Sequence, residues 1–211
     1  MVRSAVGRRL TEQPLRNLGA IGAGVLLVAT SAFGGLEPVE VEGPATFTAG
    51  QEVSAAPLEV TVHRVTWVEG ELPGVWATTE RSRWIGVVTT VRTEHDRSLL
   101  GEPAATVALR GVDGLVGRTA PGTDAVLSGD QLLMADSSRL SPMQPGLEYE
   151  VVFLFEQDAG SPPPTEAEVV LLGHRWREDS LLGGFAWLDP TPVAAATLPA
   201  RPGPGEDGSD A

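Results

Sequence analysis

An uncharged run from Leu18 to Leu36 separates a short arginine-bearing leader from an acidic domain that is rich in predicted strands. A membrane-spanning helix needs about 20 predominantly apolar residues, because each residue adds only about 1.5 Å of length. The run has this length, although its glycines and alanines keep its hydrophobicity modest. It predicts one N-terminal transmembrane helix over residues 18–36, with the lipid membrane as a partner of the chain.

The charges on either side of this run indicate its orientation. The leader, residues 1–17, holds four arginines and one glutamate, whereas Glu37, Glu40 and Glu42 follow the run. Basic residues next to a membrane-spanning helix stay preferentially on the cytoplasmic side. We therefore expect a single-pass protein of the cell membrane with a cytoplasmic leader and an extracytoplasmic domain.

The small residues Ala29–Ala32 leave a second interpretation open. A signal peptidase recognises small side chains at two positions before its cleavage site, and Thr30 and Ala32 supply them. Cleavage there would release the domain as a secreted protein. The uncharged run continues to Leu36, which favours retention of residues 18–36 as a signal anchor.

The composition of the remaining chain limits its partners and its source of stability. The whole chain has a net charge of −13 and the leader contributes +3, which leaves −16 for residues 18–211. Such an acidic domain repels the phosphate backbone of nucleic acids, so we expect no nucleic-acid partner. The chain has no cysteine, so a packed apolar core must support the fold without disulfides.

Alternating and β-branched segments predict a fold built of strands. In Leu58–Trp67 apolar residues alternate with polar ones, as in a strand with one buried face. Three further segments are rich in β-branched or aromatic residues: Trp84–Arg92, Leu147–Glu156 and Ala167–His174. With about six to eight short strands and no amphipathic helix, the sequence predicts a mainly β domain, an immunoglobulin-like antiparallel β-sandwich.

The limits of this domain follow from local composition. Prolines and glycines make residues 37–45 a linker, and the sandwich is expected over residues 46–193. Residues 194–211 are rich in Ala, Pro, Gly and Asp and are predicted to be a disordered tail. Residues 120–147 are too long for a structureless loop, so an additional element is expected there. Gln131–Met134 is its best candidate, as a short strand or a helical turn.

Several short motifs resemble the small uncharacterised immunoglobulin-like domains of bacterial exported proteins, over about residues 46–173. The motifs are a glycine turn, two Val-rich strands, and a Pro-Gly turn that leads into an aromatic strand: Thr48–Gln51, Leu58–Val62, Trp84–Val88, Pro145-Gly146 and Tyr149–Phe153. The resemblance implies a fold and an exported location. It implies no catalytic residues.

Residues capable of catalysis or metal binding show no recognisable pattern. His63, His95 and His174 are far apart in sequence, whereas zinc ligands usually stand a few residues from one another. The triplet Glu94-His95-Asp96 is compact, but adjacent side chains on an extended backbone point in opposite directions. The sequence also has no nucleophile elbow and no phosphate-binding glycine loop. We therefore expect no catalytic residues, no metal, no cofactor and no enzymatic activity.

Two of the five tryptophans are the candidate binding residues. Trp76 lies in a predicted loop and Trp176 stands between two arginines, so both are expected to be exposed, as tryptophans at contact sites often are. An Arg-Trp-Arg sequence also fits a strand end at which arginine stacks on the indole ring. Trp67 and Trp84 lie in predicted strands and are expected in the core.

Two hypotheses of function follow from these features. The first is a non-catalytic extracytoplasmic interaction module, anchored in the membrane and working with another membrane or envelope protein. The second is a secreted ligand-binding β domain, released by cleavage of the signal peptide.

Overall fold

The computed structural model describes residues 43–79, 81–100, 105–181 and 183–204. The chain divides into two units, Met1–Gly43 and Pro44–Ala211, and the described strands belong to the second. The predicted leader, the predicted anchor at residues 18–36 and most of the predicted linker lie outside the described residues. Among the described residues, no helix is long and apolar enough to cross a membrane.

Apolar residues with a period of two build the long strands of the domain. The described residues form eleven strands: β1 (Ala45–Thr46), β2 (Glu52–Ala55), β3 (Leu58–Glu69), β4 (Ser82–Thr93), β5 (Val107–Arg110), β6 (Leu115–Val116), β7 (Val126–Leu127), β8 (Asp130–Leu133), β9 (Glu148–Asp158), β10 (Glu166–Glu178) and β11 (Phe185–Pro202). In β3 the side chains of Leu58, Val60 and Val62 are fully buried, while His63 and Arg64 are exposed. β4 is buried on both faces between β3 and β9, as its continuous apolar sequence predicts.

The strands form two hydrogen-bonded layers that share β11. One layer contains β1, β5, β7 and β10, and the other contains β2, β3, β4, β6, β8 and β9. β11 pairs with β10 over most of its length, and then Ala200–Pro202 pairs with Val65–Trp67 of β3. The prediction of a mainly β, sandwich-like fold is confirmed. Two of the pairings, β1 with β11 and β11 with β3, are parallel rather than antiparallel.

The hydrophobic core joins the inner faces of both layers. Phe153 and Phe155 of β9 contribute its largest side chains, and Val169 and Leu171 of β10 meet them from the other layer. A separate apolar cluster covers the outer side of β4 and contains Trp84, which is 4% exposed. The predicted core position of Trp84 is confirmed. Trp67 is only partly buried, and the guanidinium carbon of Arg83 lies 5.5 Å from its ring centroid.

The prediction of a disordered tail is wrong for residues 194–202. These residues complete β11, so the sandwich does not end at residue 193. Ala194, Ala195, Leu198 and Ala200 are all buried in the described structure. β11 pairs with β10 and also with β1 and β3, so an Ala-rich and Pro-rich composition did not indicate disorder here. Residues 205–211 lie outside the described part.

Residues 120–147, in which an additional element was expected, contain two short strands. β7 pairs with β5, and β8 pairs with β9. The strand alternative for Gln131–Met134 is therefore confirmed, with bounds one residue earlier. The predicted linker ends earlier than residue 45, since Ala45 already pairs with Ala194 of β11.

Candidate functional site

The structure places Trp76 and Trp176 at opposite ends of the sandwich. Trp76 lies in the loop between β3 and β4, whereas the ring of Trp176 contacts His95, just beyond the other end of β4. β4 has 12 residues, and a strand rises about 3.3 Å per residue, so the two ends are separated by about 36 Å. The two predicted binding residues therefore belong to two separate surfaces.

Trp176 belongs to a hairpin in which β10 and β11 continue beyond the rest of their layer. From Arg175 to Glu178, β10 pairs residue by residue with Leu188 to Phe185 of β11. The turn closes with a hydrogen bond from the Asp179 amide to the Gly184 carbonyl at 2.8 Å. Gly183 and Gly184 adopt φ values of +72° and +80°, which side chains other than glycine rarely tolerate. Residues 174–189 are called the aromatic hairpin below.

Four rings form a cluster on one face of the aromatic hairpin. Trp176 lies opposite Trp187 with ring centroids 5.4 Å apart, and Phe185 stacks on Trp176 at 6.0 Å. His95 packs against both indole rings, at 4.9 Å from Trp176 and 5.5 Å from Trp187. Trp187 also packs against the core of the sandwich. The cluster therefore fixes the hairpin to the end of the domain.

The outer part of the aromatic hairpin remains open to solvent. Leu181 is 92% exposed, Phe185 63% and Trp176 41%. The exposure predicted for Trp176 is confirmed, and so is its position near a strand end. Within the described residues its ring contacts are with His95, Phe185 and Trp187 rather than with arginine.

An ion pair links the two strands of the aromatic hairpin. The guanidinium of Arg177 donates to both carboxylate oxygens of Asp189, with the Nη2–Oδ1 distance at 2.9 Å. This hydrogen bonding lowers the pKa of Asp189 from its ordinary value. The charge of Arg177 is thus matched locally by a carboxylate on the facing strand.

The loop that carries Trp76 is held by a single buried carboxylate. Glu156 of β9 accepts hydrogen bonds from the amides of Thr78 and Thr79, each at 2.9 Å. It also accepts from the hydroxyls of Ser82, Thr79 and Thr78, at 2.6, 2.9 and 2.5 Å. This arrangement, called the Glu156 clamp below, fixes the loop at the side that follows Trp76.

The Glu156 clamp also determines the ionisation of its carboxylate. Burial alone would raise the pKa of Glu156, but the hydrogen bonds from Ser82, Thr78 and Thr79 outweigh this effect and lower the pKa to about 2. A carboxylate with this many donors stays ionised at neutral pH. Its role in the structure is to position the loop, because its oxygens are already occupied by protein donors.

The Trp76 ring projects from this loop into solvent. Trp76 is 86% exposed, which confirms the predicted exposure. Leu72 and Val75 of the same loop pack against the apolar cluster that contains Trp84, so the loop is also held on the side that precedes Trp76. The loop borders an open cleft of about 910 Å³, which has Trp76, Trp84 and Arg81 among its lining residues.

The three histidines lie in different parts of the domain. The Nε2 atom of His63 lies 2.8 Å from the Thr90 hydroxyl, His95 belongs to the aromatic cluster, and His174 is buried in β10. In the triplet 94–96, Glu94 binds Arg92 at 2.7 Å, and His95 Nδ1 lies 3.7 Å from an Asp96 oxygen. Among the described residues, no group of three or more His, Asp or Glu side chains has the geometry of a metal site.

Neither the ring partners of Trp176 nor the Glu156 clamp was predicted from the sequence. Phe185–Leu188 has the strand pattern that pairs with Arg175–Arg177, and the glycines at 183 and 184 allow a turn between them. That combination was the available signal for a hairpin. The clamp has no comparable signal, because Thr78 and Glu156 are separated by 78 residues in sequence.

Comparisons with known proteins identify no family for this chain. No protein-family model matches the sequence, and no curated protein does. One similar solved structure is the crystal structure of an uncharacterized β-sandwich protein from Clostridium difficile 630. The two sequences are 11% identical, and the match covers 76% of this chain and 99% of the other chain, with a TM-score of 0.44.

Proposed function

We propose that this protein is a non-catalytic extracytoplasmic interaction module of the immunoglobulin-like type, anchored in the cell membrane by residues 18–36. Its partner is another membrane or envelope protein, which binds the loop around Trp76. The observation that carries this proposal is a tryptophan 86% exposed to solvent on a loop fixed by the Glu156 clamp.

An exposed tryptophan on a fixed loop has the properties of a binding hot spot. Tryptophan is enriched among the residues that dominate the binding energy of protein interfaces. A free loop loses conformational entropy when it binds, whereas a loop already held in place loses less. The cleft beside Trp76 provides a concave surface for the partner next to the projecting ring.

Crosslinking inside intact cells tests this proposal. A photoreactive amino acid at position 76 should give a discrete adduct with one envelope protein. The same amino acid at Thr197, an exposed position on β11, should not give that adduct. Trp76→Ala should then reduce copurification of the identified protein several-fold without changing the melting temperature. Equal adducts from both positions would contradict the proposal.

The alternative is a secreted ligand-binding domain. The open cleft of about 910 Å³ favours it, because small-molecule sites commonly have volumes of about 300–1,000 Å³. The mass of the mature N-terminus distinguishes the two functions. A chain that begins near Phe33 is secreted, whereas a chain that begins at Met1 or Val2 and resists alkaline extraction from membranes is anchored.

A further inference from the structure

The chain enters the sandwich from the side on which the aromatic hairpin projects. β1 runs parallel to β11, with Ala45 opposite Ala194 and Thr46 opposite Ala195. Pro44 therefore lies on the side of the earlier residues of β11, and Pro44 and Pro192 line the same cleft. Those earlier residues of β11 lead to the tip of the hairpin.

The aromatic hairpin extends beyond Pro44 by about the length that residues 37–43 can span. From Pro192 back to Phe185, β11 covers about 23 Å, at about 3.3 Å per residue. Residues 37–43, which connect the proposed anchor to Pro44, span at most about 25 Å when fully extended. If residues 18–36 are anchored in the membrane as proposed above, the hairpin tip lies within reach of the lipid surface.

Exposed apolar side chains concentrate at this end of the domain. Leu181, Phe185 and Trp176 belong to the hairpin itself. Leu147, which is 53% exposed, follows Gly146, whose amide donates to the carbonyl of Thr93 at the same end of β4. Large apolar side chains exposed together on a soluble surface indicate a contact with another apolar phase.

The apolar side chains of the hairpin tip are suited to insertion at the interface of a bilayer rather than to ionic contact with charged headgroups. Tryptophan is enriched at the level of the lipid headgroups, and leucine and phenylalanine enter the acyl boundary below it. The acidic domain repels anionic lipids, Asp189 matches the charge of Arg177, and Glu178 and Asp179 add negative charge beside the tip. The attraction is therefore apolar, and the tether supplies a high local concentration of membrane.

We propose that the tip of the aromatic hairpin inserts into the interface of the same membrane that holds the N-terminal anchor. This second contact rests on the proposed anchoring. Together, the anchor and the tip fix the orientation of the sandwich, so that the Trp76 loop, at the opposite end, is presented away from the lipid surface.

A single fluorescent label on the full chain tests this inference. The chain has no cysteine, so Leu181→Cys gives a unique labelling site at the tip. Glu71→Cys, in the exposed part of the loop between β3 and β4, is the matched control at the other end. Each protein is reconstituted into phosphatidylcholine vesicles, labelled with a polarity-sensitive fluorophore, and exposed to lipids that carry a nitroxide quencher.

We expect a blue-shifted emission and several-fold stronger quenching for the label at position 181 than for the label at position 71. Adding Phe185→Ser should weaken the quenching at position 181, and raising the salt concentration should leave it unchanged. Equal quenching at the two positions, or loss of the difference in high salt, overturns the inference.

Two further outcomes separate this inference from the proposed function. A chain that stays in the vesicles after alkaline washing but shows no quenching at position 181 overturns the hairpin contact and leaves the anchor intact. A chain that washes off overturns both. A blue shift that depends on protein density rather than on the quencher indicates contact with a second copy, and overturns the lipid contact.

Discussion

Trp176 and Trp187 occupy directly opposed positions on β10 and β11, with ring centroids 5.4 Å apart, yet only Trp187 packs against the core of the sandwich. The two members of this pair therefore have different roles. Trp187 connects the aromatic hairpin to the domain, and Trp176 presents a surface that remains 41% exposed.

Replacing Trp187 with alanine should destabilise the domain. The substitution removes the ring contacts with Trp176 and His95 and leaves a cavity at the edge of the core. Because the side chain is only partly buried, the free energy of unfolding should fall by about 2 kcal/mol, less than for a fully buried tryptophan. Leu181→Ala, at the exposed tip, should leave chemical denaturation unchanged. Equal effects of the two substitutions would contradict the supporting role of Trp187.

Removing the charge of Glu156 should abolish part of the pH dependence of stability. The pKa of Glu156 is lowered from 4.5 to about 2, so its ionised form stabilises the folded state above pH 4.5. This contribution is lost as the pH falls through about 2. It amounts to about 3 kcal/mol, since a tenfold difference in acidity between folded and unfolded states corresponds to about 1.4 kcal/mol.

Glu156→Gln should therefore be less stable than wild type at pH 7, and the difference should shrink between pH 4.5 and pH 2. Other carboxylates titrate in both proteins, so the difference between their denaturation curves isolates Glu156. Glu150→Gln, at an exposed position of the same strand, is the control and should follow wild type. A constant difference at all pH values would show that the charge is not responsible.

An aspartate at position 62 should prevent folding. Val62 is fully buried in β3, and a charge placed there without a partner costs several kcal/mol. The total stability of a domain of this size is about 5–15 kcal/mol. Thr61→Asp, on the opposite face of the strand, should remain folded. Circular dichroism distinguishes the two variants, and a cooperative melting transition for Val62→Asp would contradict the assignment of the core.

The last part of β11 should be required for stability. Leu198 is 7% exposed and belongs to the core, whereas the neighbouring Thr197 is exposed. Leu198→Asp should lower the melting temperature strongly, and Thr197→Asp should change it little. If both variants melt like wild type, residues 194–202 do not form the strand described above.

Strands with clear alternation were predictable, because one buried face imposes a period of two on the sequence. Leu58, Val60 and Val62 show this pattern, and the structure buries all three. The end of β11 was not predictable in this way. Its Ala194 and Ala195 are both buried although they are adjacent, and alanine has a low intrinsic preference for strands. Pairing with β10, β1 and β3 decides the conformation there.

The exposure of Trp76 was predictable from its position in a loop and that of Trp176 from the arginines on either side of it, whereas the contacts that support the two residues were not. The amides of Thr78 and Thr79 meet Glu156 across the fold, and no pattern near position 76 indicates that contact. His95 reaches Trp176 in the same way, from a loop far away in sequence. Contacts of this kind depend on strand order, which the sequence alone did not specify.

The sharing of β11 between the two layers has a consequence for when the domain can fold. Val65 pairs with Ala200, so this contact joins two segments that are far apart in the sequence. Contacts between distant parts of a sequence are slow to form, because closing the intervening loop costs entropy. The pairing that joins the two layers through β11 can therefore form only after residues 200–202 have been made, even where β3 and β4 have already paired.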